Sequence, residues 1–212
     1  MTTASTEAGW VAPELREELP GLGLRYALVE RGSGRSSRAL KGRLRKLSDR
    51  FSGPQAINLR NQPIPWAYRV FYRHIGLDPD EQPTPVEELA LERIKHGGFR
   101  SRSTLDDALT IAIMESGVAL RAFDADKASG APGIRPSQPG EELEGRPGEL
   151  PAGTLVIADE IRPLALLVGA TASGRGVVPR TRRTLLCGLQ VKGVPDIAVE
   201  EAIWLATGVL EG

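Results

Sequence analysis

Residues 98–130 read GFRSRSTLDDALTIAIMESGVALRAFDADKASG, and the chain changes character inside them. Ser103 or Thr104 opens a helix that runs to about Met114. Asp106 and Asp107 fall in its first turns, where the positive end of the helix dipole favours carboxylates. After Gly117 the texture is different. VALRAFD at 118–124 is a short apolar run, and further short runs lie between Gly/Pro turns: APGIRPS, GTLVIADE at 153–160, RPLALLVGATA, and TLLCGLQV at 184–191. That is the pattern of strands. Pro195-Asp196 and Val199 to Val209 read as a closing helix.

Upstream of the switch the chain reads mostly as helix. Thr84-Pro85 starts one, with threonine as cap, proline in the first turn, and Glu87 and Glu88 at the positive end of the dipole. It runs to Lys95 or His96 and stops at Gly97-Gly98. Trp66 to Ile75 forms another, closed by Gly76. Arg38 to Phe51 is amphipathic, with Leu40, Leu44, Leu47 and Phe51 at three- and four-residue spacing and the cations on its other faces. Gly21 to Glu30 alternates as a first strand, and residues 1–20 read as loosely ordered. The expectation is an α+β fold with a helical N-terminal half and a β-sandwich-like mixed sheet in the C-terminal half. Residues 1–60 are expected to form an N-terminal extension (flexible start, strand, basic helix) packed on a main domain at 61–212.

The chain has 212 residues, 41% hydrophobic and 25% charged, ordinary for a globular protein with one core. No apolar run approaches the roughly 20 residues that span a bilayer. The N-terminus lacks the basic start and apolar stretch of a secretory signal. A lone Cys187 excludes an intramolecular disulfide and a cysteine-based zinc cluster. The expected setting is cytoplasmic, without membrane, metal or cofactor.

Formal charge is zero, 27 cations against 27 acids, but it is unevenly spread. Only five cations are lysine; the rest are arginine, the side chain suited to bidentate phosphate contacts. From 31 to 60 the chain carries Arg31, Arg35, Arg38, Lys41, Arg43, Arg45, Lys46, Arg50 and Arg60 against a single acid, Asp49. Such a segment is either a footprint for a polyanion or a solvated helix face.

Many standard sites are missing. There is no Walker phosphate loop and no dinucleotide GxGxxG between strand and helix. GATASGRG at 169–176 reads as a turn. His74, expected to pack within its helix, and His96, at a helix C-terminus, are the only histidines, so a Ser-His-Asp triad is poorly supplied. Cys187 reads as a buried strand residue rather than a nucleophile.

The order of segments from about Pro63 to Val191 resembles the B3/B4 domain of the bacterial phenylalanyl-tRNA synthetase β subunit, particularly its freestanding homologues. The resemblance is carried by PWAYRVFYRHIGLDP at 65–79, TPVEELALERI, the 98–130 stretch, RPSQPGEELEG at 135–145, LPAGTLVIADE at 150–160 and GVVPRTRRTLL at 176–186. In the synthetase this domain hydrolyses tyrosine wrongly esterified to the tRNA for phenylalanine. The resemblance implies a layered B3/B4 fold and a trans-editing aminoacyl-tRNA deacylase that uses a positioned water and no covalent intermediate.

By the same resemblance, Arg100 and Arg121 are the candidate catalytic residues, orienting the terminal adenosine phosphate or the ester carbonyl. Thr171, Cys187 and Asp107 are the candidate substrate-binding residues. Arg121 stands where the family has a histidine, Cys187 where it has a glutamate that reads the tyrosine hydroxyl, and Thr110 where an asparagine is usual. A neutral thiol in place of that glutamate implies a smaller or less polar side chain than tyrosine. Arg38, Lys41, Arg43, Arg45 and Lys46, with Arg180, Arg182 and Arg183, are the candidate contacts to the acceptor end of an aminoacylated tRNA. The alternatives are a non-catalytic tRNA-binding module, a binder of a small amino-acid-like molecule, and, for each of Arg100 and Arg121, a bracing pair with Asp106, Asp107 or Asp124.

Overall fold

A computed structural model describes residues 5–51 and 53–212. It is an α+β fold built on two four-stranded sheets. The first half supplies most of the helices and the second half most of the strands: β1 (Glu7–Ala8), β2 (Trp10–Val11), α1 (Pro13–Glu18), β3 (Gly23–Val29), α2 (Arg38–Arg50), α3 (Gly53–Asn58), α4 (Pro63–His74), α5 (Pro85–His96) and α6 (Thr104–Ser116) precede β4 (Leu120–Asp124), β5 (Gly133–Pro136), β6 (Leu155–Ala158), β7 (Pro163–Leu166), β8 (Thr184–Gln190) and α7 (Asp196–Glu211).

The local signals act where the sequence puts them. On α5, Pro85 takes the first helical position, and the Glu87 carboxylate accepts from Thr84 N–H at 3.0 Å and from its hydroxyl at 2.7 Å. Gly97 ends the helix in the left-handed conformation. Ser103 caps α6 by accepting from Asp106 N–H. Ser37 does the same for α2 through Leu40 N–H, and α2 buries Leu40, Leu44 and Leu47 while its cations stay exposed. No helix among the described residues is long and apolar enough to cross a membrane.

The first sheet runs β1-β3-β8-β4, antiparallel throughout, with β8 central. Along β8, Cys187 stands beside Tyr26 of β3 and Arg121 of β4, which puts the three on one face. Gly188, the next residue, points to the other face. A Cβ there would come within 2.6 Å of Val199 Cγ1, so glycine is what lets α7 lie close on the sheet. The second sheet runs β2-β5-β6-β7, with β2 parallel to β5 and the rest antiparallel. Its Ile134, Ile157 and Leu164 join the main core, while Val156 and Ala158 pack with the loop residues Leu143, Leu150 and Ala172 in a smaller cluster.

Residues 5–20 are not loosely ordered, as the sequence suggested; residues 1–4 lie outside the described ones. Trp10 lies over Gly133, where a Cβ would sit 2.1 Å from the indole, and its Nε1 donates to Ala131 O at 2.9 Å. Leu15 and Leu19 of the α1 segment are buried. The strand that pairs with β2 is more than a hundred residues away, which is why local pattern missed it. His74 is also corrected: it is exposed at the end of α4 rather than packed.

Candidate functional site

A cavity of about 490 Å³ opens between the two sheets and the helices. Its wall takes Tyr72 from α4, Glu88 from α5, Ile113 from α6, Arg121 from β4, Ile157 from β6 and Cys187 from β8. Most of the lining is apolar, and the polar groups are few.

Arg121 is the main one. Its Nη1 donates to Leu166 O at 2.6 Å, and its Nη2 to Gly169 O at 2.5 Å and Thr171 Oγ1 at 3.2 Å. Three of its five N–H donors are thereby used, all on neutral oxygens, and two remain. Among the described residues no carboxylate lies within ion-pair distance, so bracing against Asp106, Asp107 or Asp124 is not what the structure holds. Burial lowers the guanidinium pKa, partly offset by Tyr72, Cys187 and Glu88. A shielded cation whose protein partners are neutral leaves its charge available to a ligand oxygen.

Cys187 is 1% exposed, and burial pushes its thiol up to about 12, with Arg121 pulling the other way. It is a neutral wall, not a thiolate. Glu88 stands exposed at the mouth; burial first and the Glu92 charge second raise its carboxyl, while Arg121 opposes them. Tyr72 is buried, and its phenol is pushed well above the ordinary tyrosine value by that burial.

Of the residues singled out in the sequence, Arg121 and Cys187 line the cavity, whereas Thr171, Arg100 and Asp107 are not part of its lining; Thr171 is tied to it by accepting from Arg121. Arg100 is exposed in a shallow hollow with Glu92, Arg102 and Asp106. Asp107 is 1% exposed and already saturated by local donors: Ser36 Oγ and Ser101 Oγ, both at 2.6 Å, and Arg102 N–H at 3.1 Å. It binds two segments of the chain to each other. Sequence reasoning missed Tyr72 and Glu88, which sit in helices whose patterns are accounted for by packing and by the dipole.

Asp107 is one of several clamps that gather the basic segments. Ser48 Oγ of α2 accepts from Phe99 N–H at 2.8 Å, beside Arg100. Gly32 lies flat on the 181–182 backbone, where a Cβ would sit 1.7 Å from Thr181 O, and Thr184 Oγ1 donates to Arg31 O. Asp124 in turn accepts from Thr181 Oγ1 at 2.7 Å. The 31–38 segment therefore meets both the start of α6 and the 180–184 turn. Arg38, Lys41, Arg45, Lys46, Arg180 and Arg182 are exposed, with no carboxylate at ion-pair distance among the described residues. Arg43 pairs with Glu115 and Arg183 with Asp126. The stretch from Val168 to Arg183 carries both the Val168–Gly169 wall of the cavity and this basic turn.

Comparison with known proteins agrees with this architecture. The B3/4 domain family matches the chain over residues 67–194, more than half of it. Among curated proteins, the phenylalanine–tRNA ligase β subunit of Yersinia pestis is 37% identical over 98 residues, 45% of this chain and 12% of the relative. That of Neisseria meningitidis serogroup B is 34% identical over 126 residues, 57% of this chain and 14% of the relative. That of Xanthomonas oryzae pv. oryzae is 39% identical over 94 residues, 43% of this chain and 12% of the relative. The matched segment is thus a small part of each relative's length. This chain belongs to the B3/4 domain family.

Proposed function

We propose that the chain binds the aminoacylated acceptor end of a tRNA and hydrolyses its ester in trans. The observation that carries this reading is the cavity with a shielded Arg121, joined by one stretch of chain to an exposed basic surface. The relatives are β subunits of a ligase that acts on tRNA, which supports the same class of partner.

In this reading the basic surface holds the acceptor stem through phosphates, and Arg100 takes the phosphate of the terminal adenosine. The aminoacyl group enters the cavity, where Arg121 faces the ester carbonyl and Cys187 and Thr171 shape the space for the side chain. A water adds to the carbonyl carbon, the bond to the ribose oxygen breaks, and that oxygen leaves with a proton from the water. The ester is already activated, so positioning and charge stabilisation supply much of the rate. Such a role belongs to the cytoplasm.

A second reading, a tRNA-binding module without turnover, is favoured by the protonated Cys187 and by the absence of both histidines from the cavity wall. Deacylation of a panel of mischarged tRNAs by wild type, Arg100→Ala and Arg121→Ala decides between them. Turnover of one pair, lost in Arg121→Ala and weakened in Arg100→Ala, is the expected result. Binding without turnover across the panel leaves the module; neither binding nor turnover points to a small amino-acid-like ligand.

A further inference from the structure

Tyr72 is 4% exposed, its ring edge-on to Phe71 at 6.4 Å between centroids. Its hydroxyl has no hydrogen-bond partner among the described residues, yet the residue forms part of the cavity wall. The hydroxyl oxygen is not among the sealed side-chain atoms left without a partner, so it is open to the cavity and free to donate there. A molecule seated in the cavity can therefore accept a hydrogen bond from it.

The neighbouring groups narrow the chemistry. Arg121, within charge range of Tyr72, retains two N–H donors after its contacts to Leu166, Gly169 and Thr171. Cys187 presents a neutral thiol. Two exposed carboxylates, Glu81 and Glu88, belong to the cavity lining, and Glu88 is the one that acts on Arg121; an ammonium can meet it there. One cavity thus has both the Tyr72 hydroxyl and the Arg121 guanidinium in its lining, donors suited to an oxygen that carries or acquires negative charge, with apolar walls beside them.

We infer that the Tyr72 hydroxyl and the free N–H donors of Arg121 together receive the carbonyl oxygen of the aminoacyl ester and hold its charge as water adds to the carbon. This rests on the deacylase reading above. Tyr72 keeps its proton throughout; the water's oxygen forms the new bond to carbon, and the ribose oxygen departs with the water's proton. A donor that strengthens only as charge develops raises kcat more than it lowers KM.

The test compares wild type with Tyr72→Phe, which keeps the ring and its packing. An acceptor tRNA charged in turn with each neutral amino acid is the probe, and melting curves are taken on both proteins. On the pair that wild type hydrolyses, Tyr72→Phe should lose about 10²-fold in kcat with KM and Tm nearly unchanged. Equal kcat values overturn the inference and leave the deacylase reading standing. A rise in KM at unchanged kcat overturns it too, because it assigns the hydroxyl to ground-state binding. Absence of turnover in wild type overturns the deacylase reading, and the inference with it.

Discussion

Replacing Asp107 with alanine should cost the fold about 4 kcal/mol. The side chain is 1% exposed and accepts from Ser36 Oγ, Ser101 Oγ and Arg102 N–H. Hydrogen bonds to a charged acceptor are worth about 1.5–3 kcal/mol each. Three on one carboxylate overlap, so about two full equivalents is the reasonable sum. Asp107→Asn keeps the volume and one acceptor oxygen and should cost about half as much. Urea denaturation measures both. For a slope of about 2–3 kcal/mol/M, the midpoint falls by roughly 1.3–2 M in Asp107→Ala and by roughly half that in Asp107→Asn. A shift under about 0.3 M in the alanine variant would refute the clamp. The surviving fold should also bind tRNA less tightly, since Asp107 joins the 31–38 segment to the Arg100 loop.

Glu141 supplies an acid-dependent part of stability. Arg135, with Nη–Oε distances of 2.5 and 2.7 Å, holds its carboxyl below the ordinary 4.5, helped by the Gln138 N–H. A depressed folded pKa adds stability above the unfolded value and loses it as pH falls through the folded one. Glu141→Gln should therefore lose less Tm than wild type between about pH 6 and pH 3, and an equal loss speaks against the pair. Cys187, with its thiol pushed up to about 12, should resist iodoacetamide at about pH 8 in the native protein and react fully in urea; native labelling contradicts its burial. Neutralising Arg38, Lys41, Arg45 and Lys46 together should flatten the salt dependence of tRNA binding by roughly 0.7–0.9 log units per lost phosphate contact, and an unchanged slope removes α2 from the interface.

Elements whose ends are set by local chemistry were legible in the sequence. Thr84-Pro85 with Glu87, Ser103 before α6, and Gly97 and Gly117 after their helices each act within four residues. The strands of the second half could be read because Gly/Pro turns frame them. What escaped depends on distant partners. β2 is two residues long and exists because Ile134 and its neighbours lie beside it. Tyr72 follows the apolar stripe of α4 and is indistinguishable in pattern from Tyr68, which is sealed in the core; only the fold shows that one hydroxyl meets a cavity and the other does not. Arg100 and Arg121 look alike in sequence. Their separation into a surface cation and a cavity cation comes from β4, which carries Arg121 into the sheet.

The seating of β8 between β3 and β4 bears on how the molecule can be made. Residues 184–190 zip along residues 23–29, so a neighbour needed by the central strand is synthesised early and waits for most of the chain. Contacts of such sequence separation slow folding. Until β8 arrives, β3 has an unpaired edge and the cavity lacks its Cys187 wall. A fragment trimmed to the matched residues 67–194 would be worse placed: it would leave one edge of β8 bare and uncover the Gly188 face that α7 shields. Open strand edges beside exposed apolar surface recruit other chains. The expected behaviour of that fragment is self-association, so the stretch that defines the kinship is narrower than the stretch that has to fold.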